Sequence, residues 1–550
     1  MRRILFAVAA LLASAPAQTV NPERLKADVA FLASDPLAGR RALETGADVA
    51  AQFIVAEFRK AGLRPAAGEW FLQPLELLEY RMDPEVTRLI VRTSAGERML
   101  VYGRDFSGSF PHAVRLKAPV MFAGYGITAP EYGYDDYAGL DVRGKVVLIF
   151  EYEPRAHDPA SPFNGTGNTI HASPRRKLLN AQEQGAAAVL VIPAPNRKRP
   201  FRPGRGGRVQ TLAESEARIP MFTLSEEAAA ALLAASGRKP AELQAALDAN
   251  LKPVRVPLAA EVELIAASTE LRRGRTFNVA GLIEGRAPAL RRETVIFSAH
   301  YDHLGTRDGK VLPGADDNAS GVAGLLELAR MFAAAGAPRR SLLFLAFGAE
   351  EAGLLGSYYY VAHPLRPLAT TRAVINLDMI GRDERPSEQT EGLVEIAPDT
   401  SNELNLVGIH ASPELFALIE RENQAVGLQL NPKWDRDGVL NVLWRCDHFP
   451  FLLRGVPAVW LFNGFTPDYH TPDDTPEKIN YAKMKKSYGS PGVQGARWPS
   501  RTVGRVSVFR RAEVAPAAAS LAQRALGPCG GEGFSSRRMT VATIAPSPRT

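Results

Sequence analysis

Five short stretches of the chain place acids and histidines where an apolar run ends. "TVIFSAHYDH" carries His300, Asp302 and His303, and "PGADDNASG" carries Asp316 and Asp317 between glycines. "LLFLAFGAEE" ends in Glu350 and Glu351, "AVINLD" ends in Asp378, and "AVWLF" is followed by "DYHTPDDT" with Tyr469, His470 and Asp474. The adjacent pair Glu350 and Glu351 is the most pointed of these. Two carboxylates side by side repel, and a half-buried setting makes this worse unless positive charge sits nearby. A helix N-terminus accounts for one such glutamate through the helix dipole, and less well for two. Two histidines with several carboxylates and no thiolate make a donor set for zinc or a similar divalent ion. The candidates exceed the needs of one tetrahedral zinc and suffice for two ions that share a bridging carboxylate. One glutamate of the pair then serves as a ligand while its neighbour stays free as a base.

The elements between these stretches must bring them together. From residue 293 on, strand and helix signals alternate through "ETVIFSAHYDH", "SGVAGLLELARMF", "RRSLLFLAFGAEE", "GLLGSYYYVAH", "TRAVINLDMIGR", "SPELFALIEREN" and "VPAVWLFNG". That order predicts an α/β fold with a mainly parallel central sheet and helices on both faces. In such a sheet the carboxyl ends of the strands line one edge, where ligands bind. Residues 22 to 63 read as helical, with Leu25, Val29, Leu32, Phe53, Ile54 and Phe58 at three- and four-residue spacing. Residues 69 to 106 read as strands. From about Pro111 on, "APVMFAGYGI", "GKVVLIFEY" and "GAAAVLVIPAP" predict a compact β-rich module over about 114 to 273.

Composition narrows the class. Hydrophobic residues at 46% and charged residues at 23% exclude a disordered or fibrous chain. The start, "MRRILFAVAALLASAPAQTV", has two arginines, an apolar run too short to span a bilayer, and an Ala-x-Ala cleavage pattern at Ala15 to Ala17. It reads as a secretory signal peptide over 1–17, which predicts an exported protein, periplasmic or extracellular, without stable membrane insertion. Cys446 and Cys529 are the two cysteines, too few for a disulfide scaffold or a cysteine zinc motif. The net charge of +7 is concentrated after residue 485, where ten Lys and Arg face two acids. It is therefore no argument for a nucleic-acid-binding body. Residues 486–550 lack a sustained hydrophobic period and read as a disordered basic tail of the kind a shifted reading frame produces. A basic extension that touches an anionic surface is the alternative.

"SAHYDHLG", "GADDNASGVA", "FGAEEAGLLGS", "INLDMIGR" and "DYHTPDD", in this order, resemble the co-catalytic two-zinc aminopeptidase family. Secreted bacterial leucyl aminopeptidases, glutamate carboxypeptidase and the transferrin receptor are among its members. The resemblance implies a discontinuous peptidase domain, residues 18–113 and 274–485, around an inserted protease-associated domain at 114–273. It implies two zinc ions per chain, with His300 on one, Asp316 bridging both, Glu351 and His470 completing one site and Asp378 the other. Glu350 would be the general base for a water held between the ions. Asp302 would accept a hydrogen bond from His300 and fix its tautomer, and Tyr469 would hydrogen-bond the developing oxyanion. The peptide bond between Asp316 and Asp317 is expected to be cis. His303 is expected to be a structural neighbour, His448 and His363 loop or packing residues, and Asp474 a support for His470 or a helix cap. The implied activity is release of N-terminal residues from peptides with a free N-terminus. A carboxypeptidase of the glutamate carboxypeptidase type, a glutaminyl cyclase and a non-enzymatic receptor-like protein are the alternatives.

Overall fold

The computed structural model describes residues 20–198, 207–234 and 236–489. The expected signal peptide at 1–17 and the tail beyond residue 489 lie outside the described residues.

The apolar runs of the second half become the middle of a ten-stranded sheet. In chain order its main strands are β1 (Leu72–Met82), β2 (Val209–Leu212), β3 (Ser268–Ile283), β4 (Thr294–His300), β5 (Ser341–Phe347), β6 (Thr371–Leu377), β7 (Glu403–Val407), β8 (Gln429–Asn431) and β9 (Ala458–Phe462). They lie side by side in the order β2-β1-β3-β5-β4-β6-β9-β7-β8, and a short strand at Arg64–Pro65 pairs with β3. The four strands β5, β4, β6 and β9 run parallel. On the flanks β3, β1 and β2 are antiparallel to their neighbours, as is β7 to β9.

The parallel strands read as continuous apolar runs because both faces are covered. On β4, Val295, Phe297 and Ala299 enter a core with α1 (Pro22–Leu32), α2 (Thr45–Lys60) and α3 (Gly321–Ala334), while Ile296 enters a second core with Tyr360 and Val361 of α4 (Leu355–Ala362). Full burial of a side chain such as Phe297 contributes about 1.5–3 kcal/mol. Helix α3 is apolar almost all round, yet its Glu327 is fully buried. Arg24 donates to Glu327 at 2.8 and 2.6 Å, and the Asn21 backbone N–H at 2.8 Å, so the N-terminal helix is fastened to the core through a satisfied charge.

A second sheet of eight strands occupies the insertion, in the order Gly96–Val101, Arg88–Thr93, Ala260–Ala266, Val114–Phe122, Val146–Phe150, Ala188–Ile192, Met221–Leu224, Phe106–Gly108. It therefore takes in strands before residue 114 and ends before 273, the boundaries expected from the sequence. The strand pattern of 88–108 is legible locally, but nothing in it says which sheet it joins. The insertion is tied back twice. β2 pairs with β1 of the central sheet, and Asn164, Thr166 and Asn168 donate to the carbonyls of Asp435, Arg436 and Gly438. Among the described residues no helix is long and apolar enough to cross a membrane.

Candidate metal centre

The carboxyl edge of the parallel strands gathers the acids and histidines. His300 ends β4, Glu350 and Glu351 lie just after β5, Asp378 follows β6 directly, and His470 sits in the loop after β9. Asp317 lies in the turn that leads into α3. One oxygen of Asp317 stands 3.3 Å from His300 Nε2, and the other 3.0 Å from His470 Nε2. Asp378 Oδ1 lies 3.3 Å from the same His300 nitrogen, and Glu350 Oε2 lies 3.9 Å from it. On the other side Glu351 Oε2 is 3.4 Å from His470 Nε2. The carboxylate of Asp317 thus stands between two imidazoles, each flanked by a further carboxylate.

The residue between the histidines is Asp317, which corrects the expectation for Asp316. The turn points Asp316 away from the histidines, toward Gly381, whose N–H donates to its Oδ1 at 2.7 Å. A side chain at 381 would collide with that oxygen, so the close approach requires glycine there. Two adjacent acids cannot be told apart by spacing alone; the course of the turn decides which one faces the site. The cis peptide bond also falls one position later than expected, at Asp317–Asn318.

The role expected of Asp302 is corrected too. Its carboxylate lies 4.0 Å from His300 Nδ1, beyond hydrogen-bond reach, and the backbone carbonyl of Asp302 faces that nitrogen at 3.2 Å. With Nδ1 so engaged, Nε2 is left as the lone-pair nitrogen facing the carboxylates. The Asp302 carboxylate instead accepts the backbone N–H groups of Glu350 and Glu351, at 3.0 and 3.3 Å. Asp474 likewise holds backbone rather than His470, accepting from the N–H groups of Asp316 and Asp317 at 3.0–3.1 Å.

Among the supporting residues Cys446, Arg40 and Arg445 have no signal in the sequence, because their contacts join distant segments. Cys446 Sγ donates to Asp378 Oδ2 at 2.8 Å and accepts from Asn376 Nδ2 at 2.9 Å. Arg40 is fully buried beneath the site, donating to the carbonyls of Tyr301, Pro313 and Gly314 at 2.8, 2.7 and 3.0 Å and also to that of Leu32. Tyr469 stacks on His470, ring centroids 3.7 Å apart, and its hydroxyl accepts from Arg445 at 3.0 Å. Arg382 is paired with Asp468 at 2.7 Å. His303 lies inside the cluster, its Nδ1 2.7 Å from Glu351 Oε1. His448 is buried in packing against Trp460, as expected of it.

The electrostatics follow from burying so many acids in one place. Burial and the neighbouring charge of Glu351 raise the Glu350 carboxyl well above the usual carboxylate range, although His300 opposes them. Burial, then the charge of Asp474, does the same to Asp316. Burial opposes the charge of His470, but Asp317 and Glu351 outweigh it and bring its pKa up to about 10. Asp378 Oδ1, Glu351 Oε1 and His470 Nε2 are buried without a hydrogen-bond partner. Buried donors and acceptors are rarely left so, and three converging here fit ligation of a cation. Two sets of side chains bring their ligand atoms within 4.8 Å of one another: His300, Glu350 and Asp378, and His303, Asp317 and Glu351. Imidazole and carboxylate together suit zinc.

Residues 278–488 match peptidase family M28, and residues 115–232 match the PA domain. The chain is 26% identical to aminopeptidase YwaD of Bacillus subtilis over 56% of this chain and 55% of that one. It is 25% identical to the probable lipoprotein aminopeptidase LpqL of Mycobacterium tuberculosis over 67% of this chain and 63% of that one. It thus spans less than two thirds of the length of these curated relatives. The solved aminopeptidase from Aneurinibacillus sp. strain AM-1 aligns with 89% of this chain and 96% of its own, at 22% identity and a TM-score of 0.44. Residues 278–488 of the chain are thus a peptidase family M28 region, and a PA domain precedes it at residues 115–232.

Proposed function

We propose that this chain is an exported aminopeptidase that uses two zinc ions to release N-terminal residues from peptides. The observation that carries the reading is the Asp317 carboxylate, with one oxygen 3.3 Å from His300 and the other 3.0 Å from His470. His300, Asp317 and Asp378 would hold one ion, and Asp317, Glu351 and His470 the other. Bound zinc supplies Lewis acidity, which draws the pKa of water toward neutrality and polarises a carbonyl. The side chains do the rest. Glu350, held by Asp302 through its backbone, would take the proton of the attacking water and return it to the leaving amine. The Tyr469 hydroxyl accepts from Arg445, which leaves its own proton free to donate to the oxyanion. The names of YwaD and LpqL as aminopeptidases support the same reaction, and the first twenty residues support export.

A carboxypeptidase needs a cluster of arginines for the terminal carboxylate. Around this site Arg40 is buried on backbone carbonyls, Arg307 donates to the His470 carbonyl, Arg382 is paired with Asp468 and Arg445 with Tyr469, which favours the aminopeptidase. The test is release of N-terminal residues from a mixed peptide set, with Glu350→Gln as control. Release that falls by about 10²–10⁴-fold in the variant while zinc is retained supports the assignment. Release of C-terminal residues, or equal rates for both proteins, overturns it.

A further inference from the structure

His300, Asp317, Asp378, Glu351 and His470 account for the two ions of the proposed function, yet a third imidazole stands in the same cluster without a task. Resting on that two-ion reading, we propose that His303 Nδ1 is an additional protein donor to the ion on the Glu351 side.

His303 is 1% exposed, and its Nδ1 lies 2.7 Å from Glu351 Oε1 and 3.9 Å from Asp317 Oδ2. An N–H aimed at a carboxylate across 2.7 Å is a strong hydrogen bond. Here the two atoms are that close but not aimed at each other: Nδ1 and Oε1 both lack a hydrogen-bond partner, and so does His303 Nε2. A nitrogen and an oxygen this near with diverted axes are two lone pairs converging on a common third point. Zinc donors at about 2.0–2.2 Å stand about 3.4 Å apart in a tetrahedron, so an ion entering between them would part this pair by about 0.7 Å. An imidazole buried with neither nitrogen bonded is costly, and ligation gives Nδ1 its partner. The ring is also fixed in place. It lies against Gly314, where a Cβ would come within 2.6 Å of it, and meets the His470 ring edge-on, centroids 5.8 Å apart.

The two halves of the site are then unequal. The Glu351 side has four protein donors, Asp317, Glu351, His470 and His303, which is the closed set of a tightly held ion. The His300 side has three, Asp317, Asp378 and His300, and keeps an open position next to Glu350, whose Oε2 lies 3.9 Å from His300 Nε2.

The experiment titrates ion-free full-length protein with Zn²⁺ against a chelating dye, and with Co²⁺ followed by visible absorption. Wild type, His303→Ala and His303→Gln are compared, with thermal unfolding as the check that each is folded. The expectation is two ions of unequal affinity in the wild type. In His303→Ala the tighter site weakens by more than the 10–100-fold that loss of an outer-shell partner costs, and its Co²⁺ band shifts. Glutamine, which can donate to Glu351 but ligates poorly, fails to restore either. Full restoration by His303→Gln means that His303 only orients Glu351 and overturns the proposal, as do unchanged affinities and spectrum in His303→Ala. A folded wild type that binds neither metal overturns the two-ion reading itself, an outcome distinct from the others.

Discussion

The carboxylate of Asp302 receives the backbone N–H of Glu350 at 3.0 Å, and its second oxygen receives that of Glu351. This answers why two acids can follow one another at the end of a strand: a third acid grips their backbone and separates their side chains into two tasks. In Asp302→Asn one acceptor oxygen remains, but the new NH₂ opposes a backbone N–H. We expect kcat to fall about 10–100-fold, as when a supporting partner of a metal site is lost. Steady-state kinetics on zinc-loaded protein checks this.

Tyr469 is held on two sides, by the stack on His470 and by the Arg445 hydrogen bond at 3.0 Å. Tyr469→Phe keeps the stack and loses the donor. We expect kcat to fall about 10²–10³-fold with KM little changed. Arg445→Met frees the hydroxyl to wander and moves kcat the same way by less. A change confined to KM in either variant contradicts the assigned role.

Arg40 joins three segments by donating to carbonyls of Leu32, Tyr301, Pro313 and Gly314. Two of these segments carry His300 and Asp317. Arg40→Met leaves those carbonyls without a donor and removes a buried positive charge from beneath the acids. We expect a loss of about 3–5 kcal/mol in urea unfolding, together with weaker zinc retention. Stability lost with zinc affinity unchanged makes Arg40 a purely structural residue.

Away from the centre, burial lowers the pKa of His448 to about 3. Unfolded, it titrates near 6.5. The folded state therefore binds fewer protons than the unfolded state between those values, and stability drops as pH falls from about 6.5 toward 3. At pH 5 the expected cost is about 2 kcal/mol. His448→Leu should flatten that part of the profile. The check is the difference in unfolding free energy between pH 7 and pH 5 for both proteins.

The sheet, and the edge where the acids meet, were legible because apolar runs of strand length end in the same residue types five times over. The choice between Asp316 and Asp317 was not, since it depends on how one turn aims two neighbouring side chains. The task of Asp302 escaped for a related reason: a carboxylate two residues from a histidine can serve its ring or another backbone, and spacing permits both. Arg40, Cys446 and Arg445 reach the site from loops or distant segments, so no local pattern marks them. The strands at 88–108 were readable as strands, but their membership of the inserted sheet is a matter of tertiary pairing.

In the proposed centre Asp317 joins two zinc sites and Asp316 does not. Asp316 uses Oδ1 to accept the Gly381 N–H at 2.7 Å, and asparagine keeps that acceptor. The measurement is the zinc content per chain of wild type, Asp316→Asn and Asp317→Asn after dialysis against trace-metal buffer. Two ions are expected in wild type and Asp316→Asn, and loss of at least one in Asp317→Asn. Two ions retained in Asp317→Asn, or loss confined to Asp316→Asn, would contradict that assignment.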